Sequence, residues 1–198
     1  LYADQVTPEK RSGLIPLICY SADANQMGRL ASVAAQHQDA ATLQTMLTIS
    51  QTRKLVPAIN ADEFSPLTKS EDPVLRHAVL QAIGQWNIVS LKPQLDTLVS
   101  NANADIADLS AAFSGIAVSH DDGLIGLLET VGKNTEASIP ARSLALERLA
   151  IARPEKAAPL IVDLVAGSVQ VTTDLDQQVG CIDNAVVGDV EVARTDVG

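Results

Sequence analysis

Aromatic side chains are nearly missing from this sequence: its 198 residues include one Trp, two Tyr and two Phe. A base-stacking surface for single-stranded nucleic acid needs several ring faces, so that class of function is disfavoured. Positive charge is scarce as well. Lys and Arg number 14 against 24 Asp and Glu, a formal net charge of −10. Phosphate backbones attract proteins through Lys and Arg, so nucleic acid is not an expected partner. No run approaches the roughly 20 consecutive apolar residues of a membrane-spanning helix, and no signal peptide is visible. Cysteine is confined to Cys19 and Cys181, near opposite ends of the chain. A disulfide would require the ends to meet, and two buried thiols are the simpler expectation.

The motifs of common catalytic sites are missing too. There is no Gly-rich phosphate loop, no Gly-x-Ser-x-Gly elbow and no His-Glu-x-x-His. Cys181 is followed by Ile182-Asp183, which is not the Cys-x-x-Cys-His haem attachment pattern. His37, His77 and His120 are scattered. Only His120 has neighbours of metal-binding type, Asp121 and Asp122, and one of these serves more simply as a helix cap. No catalytic residue, cofactor or metal is assigned, and a non-enzymatic role is expected.

What the sequence does contain is a repeat. Asp72 can cap a helix, Pro73 suits its first position, and Leu75, Val79, Ala82, Ile83 and Trp86 follow at spacings of three and four. Adding 33 residues leads to Asp105 and a second such helix, and adding 33 again leads to Ser138 and a third. Leu80 falls on Phe113 and Leu146, Ile83 on Ile116 and Leu149, and Arg76 on Leu109 and Arg142. The register continues into a second apolar stripe, where Leu91 falls on Leu124 and Ala157, and Leu95 on Leu128 and Ile161. Each unit therefore reads as two helices joined by a short turn. Repeats of 20–50 residues point to stacked arrays, in which neighbouring units supply each other's core.

Asp-Pro-x-x-Arg followed by small and apolar residues, then a second amphipathic helix, resembles the HEAT repeat and its short bacterial relatives. The resemblance covers residues 72–167, with the clearest units at 72–104, 105–137 and 138–167. It implies an all-α fold, a right-handed α-α superhelix of the HEAT or armadillo type built from stacked antiparallel helix pairs. It also implies that Arg76 and Arg142 pair with acids of neighbouring units. Such arrays present an extended surface to protein partners. The expected partner is a protein, or a sister domain of the same chain, with a neutral or basic surface. The chain starts Leu1-Tyr2-Ala3-Asp4 and is expected to be a fragment of a larger bacterial protein. An alternative is a spacer inside a large exported dehydrogenase that also binds haem.

Residues 5–59 read as degenerate repeats. Thr7-Pro8-Glu9 starts a helix to about Tyr20, with a kink or early break at Pro16. A second helix is expected from Asn25 to His37, and a third opens at Asp39-Ala40-Ala41. Leu55 to Ile59 is expected to be a short helix interrupted by Pro57, and Asn60 to Pro66 a loop insertion able to carry binding residues. Trp86 and Phe64 are the candidate interface anchors, although Trp86 also ends an apolar face and suits a core. Residues 168–198 form an irregular tail; Ser168–Thr173 and Ala185–Val192 have the alternation of weak strands.

Overall fold

The structure, a computed structural model, describes residues 8–101, 103–119 and 121–166. Among these residues every regular element is a helix. In chain order they are α1 (Pro8–Ser21), α2 (Ala24–Gln36), α3 (Ala40–Arg53), α4 (Ala61–Phe64), α5 (Pro73–Gln85), α6 (Lys92–Ser100), α7 (Ile106–Ala117), α8 (Asp122–Lys133) and α9 (Ile139–Ala152). A 3-10 turn at Ser65–Lys69 follows α4, and residues 154–166 form α10. The chain divides into two compact units, residues 1–157 and 158–198. The packing described below belongs to the first. Of the second, residues 158–166 are described, and they are helical.

The starts of α5, α7 and α9 show how short polar residues set helix boundaries. Asp72 accepts from the Val74 amide at 2.9 Å, Asp105 from the Ala107 amide at 2.7 Å, and Ser138 from the Ala141 amide at 3.4 Å. Each satisfies an amide that has no partner within the helix. Asp23 begins α2 with a full capping box, its carboxylate on the Gln26 amide and the Gln26 side chain on its own amide. Asp121 caps α8 through the Leu124 amide at 3.0 Å.

The helices pack in alternation. α1 lies against α3, α3 against α5, α5 against α7 and α7 against α9, while α2 contacts α4 and α6 contacts α8. The residues that recur at 33-residue spacing in the first helix of each unit form the core. Leu80, Phe113 and Leu146 are buried, as are Ile83, Ile116 and Leu149. Leu91 just before α6, Leu95 in α6, and Leu124 and Leu128 in α8 are buried as well. The α5–α7 interface is the most intimate in the first unit. A methyl group on Gly84 would lie 2.6 Å from the Ile116 nitrogen, so the two backbones touch there without side chains between them.

Two local expectations differ from the structure, and of the kink or early break expected at Pro16 the break does not occur. α1 continues through Pro16 without ending there. Ile15, Cys19 and Ala22 are buried in the same stretch, and this packing, with α1 against α3, offsets the hydrogen bond that proline cannot make. Leu55–Ile59 is not helical. Lys54 adopts a left-handed conformation (φ 52°), and the Lys54 and Leu55 amides close back on the Gln51 and Ser50 carbonyls, ending α3. The chain then crosses α2, where the Ala58 amide donates to the Ala24 carbonyl at 3.0 Å. Asn60–Pro66, expected as a loop, is mostly α4 and the start of the 3-10 turn. Asn60 caps it, and buried Phe64 and Leu67, three residues apart, hold it down. The Thr7 cap and the strand-like stretches of residues 168–198 lie outside the described residues.

Candidate functional site

Trp86 and Phe64, the two candidate anchors, are core residues. Trp86 is 2% exposed and Phe64 0%, and the rings meet edge to face with centroids 6.3 Å apart at 78°. The ring that ends the apolar stripe of α5 is covered because α4 delivers Phe64 onto it. Neither can anchor a partner in this conformation.

Beneath them is a polar cluster that sequence reading missed. The Trp86 indole Nε1–H donates to Ser50 Oγ at 2.8 Å, and Gln85 Nε2 donates to the same oxygen at 3.1 Å and to the Leu47 carbonyl at 2.6 Å. Ser50 in turn donates to the Leu47 carbonyl at 3.0 Å. A buried hydroxyl is retained only when its hydrogen bonds are replaced, and here α5 replaces them. The one available signal was a serine in line with the apolar stripe of α3. A cavity of about 300 Å³ opens beside the cluster. Lys54, Trp86 and Val118, the residues that end α3, α5 and α7, line it together. The three helices therefore run in the same direction.

Arg76 and its neighbours form the clearest charged group. Arg76 Nε lies 2.8 Å from Asp108 Oδ1, and His77 Nε2 lies 2.9 Å from the same oxygen. Arg76 also donates through Nη1 to the Ser70 carbonyl at 2.8 Å. One side chain on α5 thus ties the preceding loop to the first turn of α7. Arg142 behaves differently. Its Nε donates to the Gly132 carbonyl in the last turn of α8, at 3.3 Å, and not to an acid. Equivalent sequence positions do not meet equivalent surroundings, because α7 follows α5 in the stack whereas Arg142 reaches back to the helix before its own.

Among the described residues two groups have shifted acidities. Burial pushes the Cys19 thiol up, with the Arg53 guanidinium opposing the shift. The Arg53 guanidinium itself donates to the Cys19 and Ala22 carbonyls, closing the end of α1. Cys19 is a buried thiol; Cys181 lies outside the described residues. The Glu129 carboxylate is lowered by hydrogen bonds from Lys133 and Lys156. Among the described residues no three His, Cys, Asp or Glu side chains converge to hold a metal. None of the described helices is long and apolar enough to cross a membrane.

A cleft of about 460 Å³ opens between the 3-10 turn and α6. Leu80, Leu98 and Pro66 supply its apolar surface, and Thr68, Gln94, Thr97 and Asn101 its neutral polar groups. Lys69 and Asp108 stand at its edge as charged residues. Gln94 Nε2 donates to Ser65 Oγ across it at 2.8 Å. This is the size range in which proteins hold small molecules or short peptide segments.

No protein-family model, curated protein or solved structure matches this chain.

Proposed function

We propose that this chain is a non-enzymatic protein-interaction or structural scaffold, built as a HEAT- or armadillo-type solenoid of right-handed sense. The observation that carries this reading is the alternate stacking of α1, α3, α5, α7 and α9, with α5, α7 and α9 starting 33 residues apart behind equivalent polar caps. In such an array each unit touches only its neighbours, and the repeated faces form a surface for a partner. The net charge of −10 favours a protein, or a sister domain of the same chain, that presents a neutral or basic surface.

The architecture is tested by removing residues 105–137 in frame. A solenoid loses one unit and still unfolds cooperatively at a lower temperature, because residue 138 takes the place of residue 105. A chain that fails to fold overturns the repeat reading. The choice of partner is tested by reversing Glu71 and Glu136, which are exposed and lie outside the helices. With a captured partner in hand, Glu71→Lys/Glu136→Lys lowers affinity by about tenfold at low salt. Unchanged affinity overturns the preference for basic surfaces.

A further inference from the structure

The second line of helices has a gap in it. α6 and α8 pack side by side, with Leu95 and Leu128 fully buried. Among the described residues no comparable helix lies on the other side of α6. The five-residue 3-10 turn Ser65–Lys69 stands there instead, shorter than the nine residues of α6. The face of α6 bearing Gln94, Thr97, Leu98 and Asn101 is left to line the cleft of about 460 Å³. The cleft is thus a consequence of the irregular insertion between α3 and α5.

We infer that this cleft binds an extended peptide segment, its backbone held by the hydroxyl and amide side chains and one aliphatic side chain seated against Leu80 and Leu98. The lining chemistry selects that occupant among the alternatives. The Thr68 and Thr97 hydroxyls donate to the Ser65 and Pro93 carbonyls and keep oxygen lone pairs to accept. Asn101, whose Oδ1 takes the Asn103 amide, keeps Nδ2 to donate. Together they suit the alternating N–H and C=O groups of an extended chain. No aromatic ring lines the cleft, so a sugar or nucleobase finds no face to stack on. The charges at its edge are opposed, Lys69 against Asp108, and Asp108 is already paired with Arg76. A phosphate group therefore gains little there. The volume is too small for a whole helix, which is about 10 Å across with its side chains. The inference deepens the scaffold reading, since it names the form in which a partner is held at this one site.

The experiment uses the full chain, labelled with ¹⁵N, and the blocked tripeptide acetyl-Ala-Leu-Ala-amide, with glucose as the competing probe. Saturable shifts at Thr68, Thr97 and Asn101 with the tripeptide, and none with glucose, are expected. Thr97→Arg, at an exposed position on the cleft wall, weakens the tripeptide by about tenfold or more while the melting temperature stays unchanged. Leu98→Arg, half-buried in the same wall, gives a second blocking variant. Absence of saturation, equal shifts with glucose, or binding that survives both variants overturns the inference. These outcomes are independent of the deletion and charge-reversal tests, so the cleft can fail while the scaffold reading stands.

Discussion

Gly84 of α5 and Gly115 of α7 meet backbone to backbone: a methyl group on Gly84 would come within 2.7 Å of the Gly115 carbonyl carbon. The contact is reciprocal, because a methyl group on Gly115 would press into the Gln81 carbonyl of α5. Neither obstruction is a flexible side chain that could swing away. Gly84→Ala and Gly115→Ala should each destabilise the chain by about 3 kcal/mol, as overpacked cores do. Gly126→Ala in α8 is the control. Its methyl group meets nothing, and it should stabilise by up to about 1 kcal/mol through helix propensity. Urea unfolding of the three variants checks this, and equal effects would mean that α5 and α7 are not in contact.

The Ser50–Gln85–Trp86 cluster makes an asymmetric pair of predictions. Ser50→Ala removes the acceptor and leaves the buried indole N–H without a partner, costing about 1–3 kcal/mol. Trp86→Phe removes the donor while Ser50 keeps Gln85 and Leu47, so its polar cost should be the smaller one. In the double variant the two effects should not add, because the partners share one bond. Additive losses in a thermal double-mutant cycle would break the link drawn between α3 and α5.

Lys54 ends α3 in a left-handed conformation that a side chain disfavours by about 1 kcal/mol. Lys54→Gly should therefore raise stability by roughly 0.5–1 kcal/mol, unlike most surface substitutions to glycine. Lys54 is exposed, and Leu55, which completes the cap, is unchanged. A drop in the urea midpoint would show that the left-handed turn is not retained in solution.

Glu129 should titrate below the usual carboxylate value near 4.3, because Lys133 and Lys156 donate to its charged form. Its folded pKa is lower than its unfolded one. The resulting stabilisation is present above the unfolded value and is lost as pH falls through the folded one. The group is on the surface, so the effect on melting is small. The sensitive readout is the side-chain carboxyl resonance. Replacing both lysines with methionine should return its titration to the usual range, and a midpoint that does not move would dismiss the pairing.

Several of these features were legible in the sequence for physical reasons. Caps act within three residues, so Asp72, Asp105 and Ser138 could be recognised from their immediate neighbours, and the α8 cap could be narrowed to Asp121 or Asp122. The spacing of apolar residues in α5 and α7 specified which face is buried, since that face repeats every three or four positions. The helices α2, α3, α5, α7, α8 and α9 follow from these local patterns, whereas α4 does not.

Only the tertiary structure decided what lies between helices. The meeting of Arg76 with Asp108, one residue before the position that the repeat register pairs with it, depends on how α5 sits against α7. Burial of Trp86 depends on Phe64, 22 positions earlier, arriving from a segment that looked like a loop. The continuity of α1 through Pro16 and the refusal of Leu55–Ile59 to form a helix were likewise settled by packing and by a left-handed cap. Short-range hydrogen bonding and periodicity are encoded within a few residues. Burial and ion pairing are set by neighbours distant in the chain, and these emerge only when the helices are placed together.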